Sequence, residues 1–360
     1  MKRELILKEA LEKVKPHNRC SIAATMGTGK TLMGLKWIKS LIENDEKFLV
    51  VIPKVNLIQS WEEEAKKFNI SEVLDNIDFV TYKSLNKKDF NIYKGICLDE
   101  CHSLTLNHYS WLNKFKGKIL GLTGTPPINP YTDKFKMVSK FCPVVYEYTI
   151  EKAIEEGILN DYRIIIHKIP LSNTKYIPVN GPRGIFKVSE KEKYDWIDNK
   201  AKDNDTDFMK IQRMKTLMSF NSKKSLARAL ALHYNAHGEK CLVFVDDQKE
   251  AEKYSYYYHS NHVNNKEHLN VFNNYSGITL AAVLALSEGT NIKNLKHVVI
   301  LHAYANERKL AQRLGRAMRL NPFDTCIVDI FVYKDTIDEQ WLEQALKTFD
   351  SDKITYKNYA

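Results

Sequence analysis

The chain has 360 residues, long enough for two domains of ordinary size and too long for one. It is 44% hydrophobic and 27% charged, and no apolar run approaches the ~20 residues of a membrane helix, which excludes disordered and membrane-spanning classes. A formal charge of +10, from 54 Lys+Arg against 44 Asp+Glu, suits a polyanionic partner.

The opening MKRELILKEALEKVK (1–15) is charged throughout, which predicts an amphipathic helix and not a secretory signal. Short apolar runs then alternate with amphipathic stretches: CSIAAT (20–25), KFLVVIP (47–53), ICLDE (96–100) and KILGLTG (118–124). Each fits a strand buried on both faces and followed by a helix, the pattern of a parallel sheet covered on both sides. The rhythm returns in KCLVFVDD (240–247), ITLAAVLAL (278–286), HVVILH (297–302) and CIVDIFVY (326–333). The expected fold class is therefore α/β with two parallel sheets, domain 1 covering 1–156 and domain 2 covering 157–360. RIIIHKIPL (163–171) is the expected first strand of domain 2. A polar stretch at 172–207, with few residues of buried character and a turn signal in PVNGPRG (178–184), is expected as an insertion in domain 2. It could reach a partner or be inert. The tyrosine cluster YSYYY (254–258) reads as a partly buried helix face, with a base-stacking platform as the alternative.

The six cysteines have no paired CxxC spacing, which implies reduced thiols and a cytoplasmic setting. Cys97, Cys101 and His102 lie close in sequence, but no second ligand cluster accompanies them, so no structural metal is expected there.

AATMGTGKT (23–31) sits between an expected strand and an expected helix, the setting of a phosphate-binding loop. Gly27 and Gly29 let the backbone curl around Thr28 so that amides face β- and γ-phosphates, and the following helix adds the positive end of its dipole. Lys30 is placed to bridge those phosphates and Thr31 to hold Mg²⁺. Ala24 stands where the strict pattern has Gly. In ICLDECH (96–102) a buried strand ends in two carboxylates. Asp99 is expected to ligate Mg²⁺ through water, and Glu100 to polarise the attacking water. ATP and Mg²⁺ are thus the expected substrate and metal.

GTGKT followed by DECH resembles the superfamily 2 helicases, and the resemblance runs over nearly the whole chain. PKVNLIQSW (53–61) and FVTYKSL (79–85) resemble segments that hold the nucleic-acid backbone, and LTGTP (122–126) resembles the third motif. LSEGTNIKNLKHVVIL (286–301) resembles the fifth, and QRLGRAMR (312–319) the sixth, QxxGRxxR. The resemblance implies two tandem RecA-like domains with ATP between them. It assigns coupling to His102, Thr123, Thr125 and Gly289, arginine-finger roles to Arg316 and Arg319, and γ-phosphate contact to Gln312. The arginines at 313, 316 and 319 lie nearly on one helical face, and fingers of this kind are worth about 10³–10⁵ in rate in phosphoryl transfer. Lys54, Thr81, Tyr82, Thr290 and Asn291 are the expected backbone contacts to DNA, which a motor grips without reading bases. Trp61 is expected to pack the start of a helix.

Two branches of the superfamily compete. FVTYKSL, the Trp61 segment, TGTPPINP (123–130) and DTIDEQW (335–341) resemble Swi/Snf-type duplex translocases, while EGTNIKNLKHVVILH (288–302) and EEGILNDY (155–162) resemble phage UvsW-type repair helicases. The expected function is an ATP-dependent DNA helicase or translocase acting on single-stranded, duplex or branched DNA, with replication or repair proteins as partners and a phage or bacterial source. The alternatives are a duplex translocase that separates no strands, a nucleotide-dependent DNA-loading factor, and an RNA helicase.

Overall fold

A computed structural model describes residues 2–25, 27–182, 184–283, 292, 295–302, 310, 324–347 and 349–359. Contacts divide the chain into two compact units, Met1–Leu159 and Asn160–Ala360.

In the first unit α1 (Lys2–Val14) buries Ile6, Leu7, Ala10 and Val14, one stripe of the 3.6-residue period. There follow β1 (Arg19–Ala24), α2 (Lys30–Lys39), β2 (Lys47–Ile52), α3 (Ile58–Lys67), β3 (Ile77–Thr81) and β4 (Tyr93–Asp99). The unit is completed by α4 (Tyr109–Lys114), β5 (Lys118–Thr123), α5 (Asp133–Phe141), β6 (Val144–Tyr148) and α6 (Ile150–Glu155). Six strands form one parallel sheet in the order β3-β2-β4-β5-β1-β6. KFLVVI of β2 is buried in all but its first residue, as a parallel strand covered on both faces must be. Gly157 takes a left-handed φ of 65°, and Ile158 and Leu159 then fold back to bond the Ala153 carbonyl. That return keeps Ile158 and Leu159 with the first unit and puts the break at 159/160, three residues past the one expected from the pattern.

The second unit opens with β7 (Asp161–Ile169) and an antiparallel hairpin of β8 (Ile177–Gly181) and β9 (Gly184–Val188). Next come α7 (Glu190–Asp203), α8 (Asp207–Ser219), α9 (Ser222–Ala236), β10 (Cys241–Val245), α10 (Gln248–Ala251), β11 (Tyr256–Tyr258), α11 (Asn265–Asn274) and β12 (Thr279–Val283). β13 (His297–Ile300), β14 (Thr325–Tyr333), α12 (Ile337–Leu346) and β15 (Ile354–Asn358) end it. Seven parallel strands run β11-β12-β10-β13-β14-β7-β15. A buried polar node pins this sheet: the Asp329 carboxylate of β14 faces His167 Nε2 of β7 at 2.7 Å and accepts from the Tyr234 hydroxyl of α9 at 2.8 Å.

Two expectations for this unit are corrected. The 172–207 stretch is not uniformly surface: α7 buries Tyr194, Ile197 and Ala201, the first two packing with Leu217, Phe220 and Tyr333. Its apolar residues were too sparse to mark a helix face among so many charges. The tyrosine cluster is not helical, since Tyr256–Tyr258 form the edge strand β11. All six cysteine thiols are free and buried. Among the described residues no helix is long and apolar enough to cross a membrane, and no group of three or more His, Cys, Asp or Glu side chains is arranged to hold a metal ion.

Candidate active site

The site of the first unit forms where β1, β4 and β5 end side by side. Registers Ala23↔Thr123 and Asp99↔Leu122 bring the three C-terminal ends level, and ligands of parallel α/β sheets bind at that edge.

β1 delivers the phosphate loop. Gly27 and Gly29 have φ of 80° and 88°, which a side chain tolerates poorly, and Gly29 is the N-cap of α2. The N-terminus of α2 follows the two left-handed glycines, and helix N-termini carry the positive end of the dipole. Thr28 is buried and its hydroxyl donates to the Thr25 carbonyl at 2.7 Å, closing the loop. Lys30 Nζ donates to the carbonyls of Ala24 (2.9 Å) and Thr25 (3.4 Å), curled over the loop it belongs to. Ala24 is the last residue of β1 and is not among the positive-φ positions, so glycine is not required there. Gly124, after β5, leaves room for the lysine: a Cβ on it would stand 3.3 Å from Lys30 Nζ.

β4 delivers the acids. Burial first, and then the adjacent charge of Glu100, push the Asp99 carboxyl up to about 7, against the pull of Trp61 and Lys30. Trp61 Nε1 donates to Asp99 Oδ2 at 3.3 Å, and the Tyr82 hydroxyl donates to the Asp99 carbonyl at 2.7 Å. Glu100 is a non-glycine residue in the left-handed region, φ 50° and ψ 56°, a conformation that costs about 1–2 kcal/mol and turns the chain out of the strand. The turn brings Glu100 Oε2 within 3.3 Å of His102 Nδ1. The same nitrogen lies 2.8 Å from Thr123 Oγ1, which accepts the Thr125 amide at 3.1 Å. His102, Thr123 and Thr125 thus form one hydrogen-bonded chain between the ends of β4 and β5, with the Glu100 carboxylate beside it and its buried Oε2 without a hydrogen-bond partner among the described residues. The Thr125 hydroxyl is buried with no hydrogen-bond partner among the described residues.

A carboxyl raised by burial and by a neighbouring acid, as Asp99 is, would be stabilised in its ionised form by a hard divalent cation; Thr31 lies in the first turn of α2.

Lys54 is exposed just past β2, and Thr81 ends β3, the neighbouring strand, where Ile52 pairs with Thr81. Tyr82 is corrected: its side chain is buried in the core and its hydroxyl is used on Asp99, so the side chain supports the acidic strand end instead of touching DNA. Burial pushes that hydroxyl well up, keeping it a donor. Gly289, Thr290, Asn291, Gln312, Arg313, Arg316 and Arg319 lie outside the described residues. Trp61 was missed as a site residue. The one signal for it was Gly34 in the middle of α2, where a Cβ would meet Trp61 Cη2 at 2.6 Å.

Two family descriptions match in tandem: "Type III restriction enzyme, res subunit" over residues 3–128 and "Helicase conserved C-terminal domain" over residues 221–321. Matched in this order, the two support a superfamily 2 helicase/translocase that hydrolyses ATP. A similar protein is the DNA 3'-5' translocase XPB2 of Sulfurisphaera tokodaii, 23% identical over 377 residues, covering 92% of this chain and 81% of the relative. In structure the chain is similar to the ATP-dependent Type ISP restriction-modification enzyme LlaBIII bound to DNA, with a TM-score of 0.63 at 15% identity. The match takes in 99% of this chain but 31% of that one, so this chain spans about a third of the restriction enzyme. It is also similar to S. cerevisiae Dbp5 bound to RNA and ADP BeF3, with a TM-score of 0.59 at 14% identity, covering 98% and 89% of the two chains. These structural likenesses establish the fold, two RecA-like sheets.

Proposed function

We propose that this chain is a DNA motor whose ATP hydrolysis is carried out by Lys30 and Glu100 of the first domain and by Arg316 and Arg319 of the second. The observation that carries the reading is the hydrogen-bonded chain His102–Thr123–Thr125, beside which the proposed hydrolytic acid Glu100 lies, 3.3 Å from the His102 ring. The amides of Gly27 to Thr31 and the Lys30 ammonium bind the polyphosphate. Lys30 exchanges its carbonyl partners for phosphate oxygens of similar geometry. Thr31 and Asp99 would hold Mg²⁺, which would supply positive charge to the transferred phosphoryl group. Trp61 and Tyr82 fix Asp99 at its carboxylate and its carbonyl. Glu100 orients the attacking water and draws its proton, and His102 reports the state of that acid to Thr123. Gln312, Arg316 and Arg319 complete the charge stabilisation by the sixth-motif resemblance, and Gly289 joins the coupling set.

DNA as the track is supported by the name of the XPB2 relative, a DNA 3'-5' translocase, which also supports 3'-to-5' movement here. The +10 charge favours a polyanion, and Lys54, Thr81, Thr290 and Asn291 are the proposed backbone contacts. Six free, buried thiols support a reducing, cytoplasmic setting. The test is steady-state ATPase with single-stranded, duplex and forked DNA and with RNA. DNA should stimulate turnover at least tenfold over protein alone, and stimulation by RNA only would overturn the choice of track.

A further inference from the structure

The first unit has a groove that the phosphate site does not use. It runs between α1 and the end of α2 away from the phosphate loop, and encloses about 690 Å³. Its floor follows from two apolar spacings of four residues. Leu7 and Leu11 of α1 continue one side of the buried stripe Ile6, Ala10 and Val14, and Trp37 of α2 is followed by Leu41 just past its end. Leu7 and Trp37 are buried, Leu11 and Leu41 half-buried. Trp37 is held in place: a Cβ on Gly95 of β4 would meet Trp37 Cη2 at 3.2 Å, and Ser40 Oγ donates to the Trp37 carbonyl at 2.7 Å. The groove is therefore formed before anything enters it.

The two walls differ in charge. On the α1 side Glu4, Lys8, Glu12 and Lys15 alternate in sign at spacings of three and four, so each charge has an opposite neighbour along the helix. On the other side Lys36 of α2 and Lys118, the first residue of β5, border the groove, and neither α2 nor β5 contains an acid. Both lysines are half-buried, and neither ammonium is ion-paired or hydrogen-bonded to a described residue. Lys39, one turn beyond Lys36, is by contrast held by Glu72 at 2.6 Å. A half-buried cation is screened less than an exposed one, so this wall favours a carboxylate from outside the chain.

Floor and wall together select the occupant. An amphipathic helix laid along a groove presents apolar side chains at i, i+3, i+4 and i+7, which suits a floor made of two ridges. Carboxylates along one flank of that helix would meet Lys36 and Lys118. Nucleic acid fits less well, because a phosphate backbone has no apolar stripe for the four floor residues and meets Glu4 and Glu12 on the α1 side. A second copy of α1 would bring both signs of charge and leave the lysine wall half answered.

We propose that the groove between α1 and α2 docks an acidic amphipathic helix of a partner protein, with its apolar stripe on Leu7, Leu11, Trp37 and Leu41 and its carboxylates on Lys36 and Lys118. The proposal stands apart from the DNA-motor reading. The experiment is fluorescence anisotropy of the full chain with a labelled helical peptide carrying leucines at i, i+3, i+4 and i+7 and glutamates along one flank, and with a counterpart in which lysine replaces each glutamate. The acidic peptide should bind at least tenfold more tightly than the basic one. Lys36→Glu/Lys118→Glu should lose at least tenfold for the acidic peptide while basal ATPase stays within twofold of the parent. Lys36→Gln/Lys118→Gln, which removes the charge without reversing it, should bind between the two. Lys66→Glu/Lys67→Glu, an equal change of charge on α3, should bind like the parent. Equal loss in the α3 variant overturns the site, because the attraction would then be one of net charge. Parental binding by the Lys36/Lys118 variants, equal affinity for the two peptides, or binding of neither overturns it as well. Dimerisation of the parent that Lys36→Glu/Lys118→Glu abolishes would give the groove to a second copy, and displacement of the acidic peptide by duplex DNA would give the lysine wall to nucleic acid; either result refutes the proposal.

Discussion

The indole of Trp61, on α3, donates to the carboxylate of Asp99, at the end of β4, across 3.3 Å. Trp61 is 1% exposed, packs edge-on against Phe79 at 6.1 Å and rests on the bare backbone of Gly34 in α2. One side chain therefore joins α2, α3 and β3 to the acid expected beside the metal. Trp61→Phe should lose the donor and, with it, the outer ring that rests on Gly34. The expected result is ATP turnover lower by about fivefold, ~1 kcal/mol of positioning, with an unfolding midpoint lowered less than in the Ala variant. Trp61→Ala should instead cost stability, about 3–5 kcal/mol for a buried aromatic, read by urea denaturation. Full turnover in the Phe variant would reduce Trp61 to packing alone.

Glu100→Gln and Lys30→Ala should separate hydrolysis from binding. The carboxamide keeps the shape and the His102 contact but cannot take a proton, so nucleotide affinity should stay within about threefold while turnover falls by about 10²–10⁴. Lys30→Ala should lose turnover and weaken nucleotide binding together, since its ammonium is placed to clamp the phosphates. Fluorescent-nucleotide titration beside single-turnover hydrolysis distinguishes the two patterns. Loss of binding in the Gln variant would make Glu100 a direct metal ligand.

The second unit contains a stability test within its own core. Lys223 Nζ of α9 donates to Asp338 Oδ2 of α12 at 2.6 Å, with both side chains fully buried. Against burial, the Lys223 ammonium and His302 hold the Asp338 carboxyl well below the usual carboxylate range. Lys223→Met should strand that carboxylate and destabilise the protein by about 3–5 kcal/mol. Because the folded carboxyl is depressed, its contribution is complete above the unfolded value of about 3.9 and is lost as pH falls through the folded one. Lys223→Met/Asp338→Leu should therefore recover much of the stability at pH 7 and show a flatter decline below about pH 4 than the parent. Thermal melts across that range provide the check.

Much of this site was legible in the sequence because backbone chemistry dictates it. Gly27 and Gly29 mark left-handed turns, Asp99 and Glu100 end an apolar run, and adjacent strands bring those segments together whatever the rest of the chain does. Trp61 and Tyr82 were not legible as site residues, because their contacts to Asp99 depend on how α3 and the turn after β3 pack, and aromatic residues bury for many reasons. The left-handed φ of Glu100 left no trace in residue type, since the strain is compensated by function instead of by glycine. The buried face of α7 was hidden because Tyr194, Ile197 and Ala201 are spaced among nine charged residues in fourteen. α2 was easier, its helical face being marked by Leu32, Leu35 and Ile38.

The last prediction concerns the arginines of the second domain. Every group assigned to the first unit in the proposed mechanism, from Lys30 to Thr125, is proposed to bind phosphate, orient water or relay a contact. None of them brings a second positive charge to the oxygens on which charge develops. The QRLGRAMR segment resembles one that does, and a group acting mainly in the transition state lowers kcat more than it weakens binding when removed. Arg316→Ala should therefore leave nucleotide affinity within about tenfold while turnover falls by about 10³ or more. DNA should no longer stimulate that variant, because closure of the motor would deliver no charge. Residues 1–159 alone form a compact unit with its own core and should fold, bind nucleotide and hydrolyse it as slowly as the Arg316→Ala chain. DNA-stimulated turnover of the two proteins, measured side by side with nucleotide affinity, decides the matter. Near-parental turnover in either one would mean that the first unit holds a complete hydrolytic site, and the arginine segment would then be a basic helical face with no part in the chemistry.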